Sequence, residues 1–159
     1  MTEHETRSHI LVVDDSPDNL ALIRAYLGDC NFELDYAENG QIAVDKVIAD
    51  HPDLVVMDLQ MPVMGGLEAT RAIRRWEANT NRYPPIPILA WTAHGAGDDV
   101  AESVKAGCNE LLGKPTEQSC LLAAIFRYIP CGLWGKLPRV LVAESAIKRR
   151  GPSSFGGHS

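Results

Sequence analysis

The sequence predicts an α/β protein built on an open parallel sheet with helices on both faces. Three observations carry this prediction. Short apolar, β-branched runs alternate with helix-like stretches from residue 9 to residue 130, in five β/α units. One run, "DLVVMD" (53–58), is apolar almost throughout, as a central parallel strand covered on both faces must be. Polar residues interrupt the pattern at the carboxyl ends of the runs, the edge at which such sheets bind ligands. The right-handed crossover rule removes most alternative threadings.

The elements follow in order. "HILVV" (9–13) is a strand that ends in Asp14 and Asp15. "SPDNLALIRAYLG" (16–28) is a helix with Ser16 as N-cap, Pro17 at the first helical position, and Leu20, Ile23 and Leu27 as its apolar stripe. "FELDYA" (32–37) alternates as a strand does, and Ala43, Val44, Val47 and Ile48 form a second helical stripe. After the strand 53–58, "GLEATRAIRRWEA" (66–78) reads as a third helix and "IPILAWT" (86–92) as a fourth strand, separated by the turn-rich "NTNRYPP". A helix over about 97–106 and a short strand at "ELLG" come next. "EQSCLLAAIFRYI" (117–129) closes the series, with Leu122, Ile125, Phe126 and Ile129 facing inward.

Bulk properties bound the function. At 159 residues the chain supports one buried core and is too short for two ordinary domains. A net charge of -6 argues against a nucleic-acid or anionic-lipid footprint. No run reaches the length of a membrane span, and "MTEHETRSH" has no signal-peptide core. Cys30, Cys108, Cys120 and Cys131 lack metal-ligand spacing and read as buried free thiols in a reducing cytoplasm.

The strand ends hold the chemistry: Asp14 and Asp15 on the first, Asp58 on the third, Thr92 on the fourth, and Lys114-Pro115 just past the fifth. Each residue alone has an ordinary reading, as a helix cap, a solvated acid or a surface lysine. Gathered on one edge they make a different object. Three crowded acids repel one another, and a hard divalent cation relieves this; Mg²⁺ suits a site of one or two carboxylates, waters and phosphate oxygens. A lysine ammonium is a compact counter-charge for phosphate, and a threonine hydroxyl donates to a phosphoryl oxygen. Such parts suit phosphoryl transfer to a carboxylate.

Over about residues 8–130 the chain resembles the receiver domain of two-component response regulators. The resemblance rests on "ILVVDDSP", "DLVVMDLQMPVMGG" followed by "LEATRAIR", "ILAWTAHG" and "AGCNELLGKP", in that order and spacing. It implies a flavodoxin-like sheet of strand order 2-1-3-4-5. It further implies that Asp58 accepts the phosphoryl group in an acidic site formed with Asp14 and Asp15. Mg²⁺ would be held by Asp15, Asp58 and the backbone carbonyl of Gln60, with Asp14 acting through water. Thr92 and Lys114 would contact the phosphoryl group beside a cis Lys114–Pro115 bond. Pro62 and Gly66 would shape the loop after the acceptor, with Met61 and Met64 packing rather than ligating.

The partner implied is a histidine kinase or a histidine phosphotransfer protein in the cytoplasm, with neither nucleic acid nor membrane involved and a homodimer left open. The chain would be a phosphoacceptor that promotes its own phosphorylation and dephosphorylation, standing alone or as a piece of a hybrid histidine kinase. The alternative is a receiver-fold interaction module that works without phosphate. It is favoured by Leu111, which replaces the aromatic residue usual three positions before the lysine, and opposed by the intact acid, threonine and lysine set. A phosphatase with an aspartyl nucleophile needs a second acid two residues on, where Gln60 stands. The resemblance implies that Gln60 and His94 occupy positions that influence how water reaches the acyl phosphate, while His94 alone reads more simply as a surface residue. Trp91 is bulkier than the residue usual before the threonine, and reads either as core or as an exposed signalling contact. Residues 131–159 read as a tail, partly disordered or an expression remnant, although "PRVLVAES" echoes the opening strand.

Overall fold

Strand and helix alternate along the described residues, 7–93 and 98–129 of a computed structural model. The order is β1 (Ser8–Val13), α1 (Pro17–Leu27), β2 (Phe32–Ala37), α2 (Gly40–Asp50), β3 (Leu54–Asp58), α3 (Gly66–Asn79), β4 (Ile88–Thr92), α4 (Asp98–Ala106), β5 (Glu110–Gly113) and α5 (Gln118–Phe126). The five strands form one parallel sheet in the order β2-β1-β3-β4-β5. The predicted fold class, strand order and doubly wound architecture are all present.

Every residue of β3 and β4 is buried, which accounts for the absence of polar alternation in these two runs. Side chains of alternating strand positions divide the core into two layers. Ile10, Val12, Leu54, Val56, Leu89 and Trp91 pack against α1 and α5. Leu11, Val13, Val55, Met57 and Ile88 pack against α2 and α3. Trp91 is therefore core, with only 1% of its surface exposed, and not a surface contact.

Local chemistry sets the boundaries. Ser16 caps α1 by accepting from the Asn19 N–H, with Pro17 in the first helical turn. Asn39 caps α2 in the same way through the Ile42 N–H. β4 begins at Ile88 and not at residue 86, because Pro87 has no N–H for the ladder; its carbonyl still accepts from Val55, at 2.9 Å. The α2 stripe is narrower than predicted. Ala43, Val44 and Val47 are buried, but Ile48 is 41% exposed and lines a surface hollow with His51, Trp76 and Tyr83. The last helix ends at Phe126 and not at residue 129, but the four residues expected inward, Leu122, Ile125 and Phe126 on α5 and Ile129 just after it, are all buried. The tail from residue 131, Cys131 and His94 lie outside the described residues; Cys30, Cys108 and Cys120 are half-buried and not disulfide-bonded.

Candidate functional site

The sheet delivers its polar residues to one edge. The Asp14 N–H donates to the Ala37 carbonyl at 3.0 Å, extending the β1–β2 ladder by one step and fixing where the acid stands. Its carboxylate is wholly buried and accepts from the Ser16 N–H at 2.9 Å and from Asn19 Nδ2 at 3.1 Å. Asp15, the next residue, is exposed. Asp58 ends β3 and is 4% exposed. Asp14, Asp15 and Asp58 each offer a carboxylate oxygen, and these oxygens lie within 4.8 Å of one another.

Lys114 reaches this cluster from the segment after β5. Its N–H donates to the Thr92 carbonyl at 2.7 Å, which ties the segment to the end of β4, and the Lys114–Pro115 bond is cis. The ammonium lies 2.7 Å from Asp14 Oδ2 and 3.4 Å from Asp58 Oδ1. Thr92 is buried at the end of β4, opposite Gly113 of β5. Gln60 is exposed, and its N–H donates to Asp58 Oδ1 at 3.3 Å.

Three carboxyls against one ammonium leave the cluster short of positive charge. The Asp58 carboxyl responds: burial, and then the Asp14 charge, push its pKa up to about 6, against the opposing pull of Lys114 and the Gln60 N–H. The donor set consists of hard oxygens, the ligands a small divalent cation prefers. The arrangement thus has an exposed mouth at Asp15, a buried carboxylate at Asp58 and the Lys114 ammonium on its far side.

The loop after Asp58 has to turn sharply. A Cβ on Gly66 would stand 2.1 Å from the Asp58 carbonyl oxygen, so only glycine allows α3 to start so close to Asp58. The Gly66 N–H donates to the Leu59 carbonyl at 3.1 Å. Between them the Met64 N–H closes onto the Pro62 carbonyl at 2.8 Å, with Val63 at φ 69 between the two and 84% exposed. A β-branched residue in that region is strained. Met61 and Met64 pack against the α2–α3 layer, as expected of packing residues.

All six residues predicted for the site stand on this edge: Asp14, Asp15, Asp58, Gln60, Thr92 and Lys114. Sequence reasoning missed the groups that hold them. Asn19 lies one turn into α1, directly over Asp14, and "DDSPDN" carried that signal. The Trp91 ring stands beside the Lys114 ammonium and its Nε1–H donates to Thr116, a pairing that no local spacing announces.

Comparison with known proteins agrees with this geometry. Residues 10–126 match the family model described as the response regulator receiver domain. The sensor protein GacS of Pseudomonas syringae pv. syringae is 37% identical over 129 residues, covering 81% of this chain but 14% of that protein. The chain therefore spans a small part of the length of the curated relatives it matches. Among solved structures, the receiver domain of the sensor histidine kinase PA1611 from Pseudomonas aeruginosa, with a magnesium ion coordinated in its active-site cleft, has a TM-score of 0.69 and 32% identity, covering 77% of this chain and 98% of that one. The receiver domain of the response regulator Ssk1, co-crystallised with the Saccharomyces cerevisiae histidine phosphotransfer protein Ypd1, has a TM-score of 0.71 and 31% identity, covering 77% and 88%.

Proposed function

The chain belongs to the response regulator receiver family of two-component phosphorelay systems, and from that premise we propose that residues 8–130 form a receiver domain that accepts a phosphoryl group on Asp58. The donor is the phosphohistidine of a histidine kinase or a histidine phosphotransfer protein, and the output passes through a protein partner. The observation that carries this reading is the buried Asp58 carboxylate facing the Lys114 ammonium at 3.4 Å, within 4.8 Å of the Asp14 and Asp15 oxygens.

An Asp58 oxygen attacks phosphorus in line as the P–N bond breaks. The departing imidazole keeps the bonding pair and takes up a proton. Asp15, Asp58, the Gln60 carbonyl and, through water, Asp14 would hold Mg²⁺, which would supply positive charge to the phosphoryl oxygens. Lys114 follows the transferred charge, releasing Asp58 and meeting a phosphoryl oxygen. Thr92 donates its hydroxyl to another. The Asp14 carboxylate, held by Ser16 and Asn19, keeps Lys114 on the axis of transfer.

We place this work in the cytoplasm, with the domain standing alone or as the receiver of a larger hybrid kinase; among the described residues no helix is long and apolar enough to cross a membrane. Intact mass after incubation with acetyl phosphate and Mg²⁺ tests the reading. The parent chain should gain one phosphoryl group and Asp58→Asn none, since the amide is a poor nucleophile of the same shape. A phosphorylated Asp58→Asn chain at the parental rate would refute the acceptor.

A further inference from the structure

The Lys114 ammonium has a neighbour besides the carboxylates. It lies 4.5 Å from the centroid of the Trp91 ring, well within the range at which an indole face attracts a cation. Trp91 pairs in register with Asp58 across β3 and β4, so both side chains emerge on the same face of the sheet at the same height. The indole is not free to turn. Its Nε1–H donates to Thr116 Oγ1 at 2.9 Å, and the Thr116 hydroxyl spends its own proton on the Gly113 carbonyl. Both side chains are buried. The ring is thus clamped from the same segment that carries Lys114.

We propose that Trp91 is a positioning residue for Lys114: the indole face holds the ammonium over the acceptor carboxylate, and phosphoryl transfer to Asp58 depends on an aromatic ring at position 91. The inference rests on the reading of Lys114 as the cation that meets the phosphoryl group. A lysine stem has several rotatable bonds, and Asp14 alone fixes only one direction of its head group. The ring supplies the second restraint. Its attraction has no directional hydrogen bond to break, so the ammonium keeps its wall while it moves from Asp58 to a phosphoryl oxygen.

The test uses the full chain, with acetyl phosphate as donor, and compares Trp91→Leu, Trp91→Phe, Lys114→Met and the Trp91→Leu/Lys114→Met double variant. Trp91→Leu should slow phosphorylation roughly 5- to 30-fold, the span of a desolvated cation–ring contact, while Trp91→Phe, which keeps a ring face, recovers most of the rate. Trp91→Leu should have no further effect once Lys114 is methionine. Two readouts do not depend on turnover. Mg²⁺ affinity by calorimetry should be the same in Trp91→Leu and the parent, whereas a general loosening of the core would lower it. The ε-methylene protons of Lys114 should be shifted upfield by the ring current in the parent and not in Trp91→Leu.

A parental rate in Lys114→Met overturns the underlying reading of the site. A slow Lys114→Met beside a parental Trp91→Leu overturns only the role of Trp91. Should Trp91→Leu fail to fold, Thr116→Val carries the test: it frees the indole from its anchor and should give a Lys114-dependent loss of rate, and a parental rate overturns the proposal.

Discussion

Among the described residues, the ion cluster at Arg74 and the one at the carboxyl edge are built in opposite ways. The first joins α3 to the start of β4 and the α4–β5 turn. There Arg74 Nη1 donates to Glu77 Oε1 at 2.7 Å and to the Ile86 carbonyl at 2.8 Å. Its Nε and Nη2 reach the Gly107 carbonyl at 3.0 and 2.9 Å, and Nη2 also reaches Asn109 Oδ1 at 3.1 Å. The other Glu77 oxygen accepts the Ile86 N–H at 2.6 Å. One cation meets one anion, and the hydrogen bonds around them are made. At the carboxyl edge three acids cluster while one lysine meets only Asp14 and Asp58, and burial beside Asp14 pushes the Asp58 pKa up to about 6. The contrast separates two uses of buried charge. A balanced, saturated pair fixes loops, whereas an unbalanced one stores a need for positive charge that a ligand can meet.

The contrast breaks most visibly at Arg74. Arg74→Met strands the buried Glu77 and the Gly107 carbonyl, and should cost about 3 kcal/mol of stability in urea unfolding, while the folded chain still phosphorylates at the parental rate. A cost under about 1 kcal/mol would show that the cluster is not a structural lock.

Asp58→Asn should do the reverse and stabilise. The folded chain keeps the Asp58 proton up to about pH 6, whereas an unfolded aspartate loses it near 4. Between these values the folded state binds more protons, so this group's contribution to stability falls as pH rises and is flat above about 6. The asparagine variant lacks that loss. Its advantage over the parent should grow from pH 4 to pH 6, to at most about 3 kcal/mol, and shrink on adding Mg²⁺. Melting curves at several pH values, with and without the ion, check this; an advantage independent of pH would contradict it.

The smallest effect on the fold belongs to Asp15. This acid is exposed, so Asp15→Ala should change stability by no more than about 0.5 kcal/mol. Its Mg²⁺ affinity should nonetheless fall about tenfold or more in a calorimetric titration. Unchanged affinity would remove Asp15 from the ligand set.

The balanced cluster was the less legible of the two. The site acids were readable because each ends an apolar run, and a strand that terminates in a charge on the ligand-binding edge is conspicuous. Arg74 and Glu77 sit in "RAIRRWEAN" among other charged residues, and an arginine three positions before a glutamate reads as a solvated helix face. Their burial depends on Ile86, Gly107 and Asn109, which only the folded chain brings to them. The same holds for Trp91. Strand periodicity buries it, but its bond to Thr116 spans 25 residues and leaves no local pattern. Ile48 failed for a related reason. Its spacing fits the stripe, yet the stripe's width is set by how α2 lies on the sheet.

Trp91 and Thr92 are consecutive, and in a strand consecutive side chains face opposite sides. Trp91 belongs to the layer of α1 and α5. Thr92 points toward the other side, and its carbonyl holds the segment that carries Lys114. In mechanical terms the end of β4 is a fulcrum. A group seated between Lys114 and Thr92 would load both arms at once, one through the indole into the α1–α5 layer and one on the opposite face of the sheet. A single local tug would thereby be divided between the two layers.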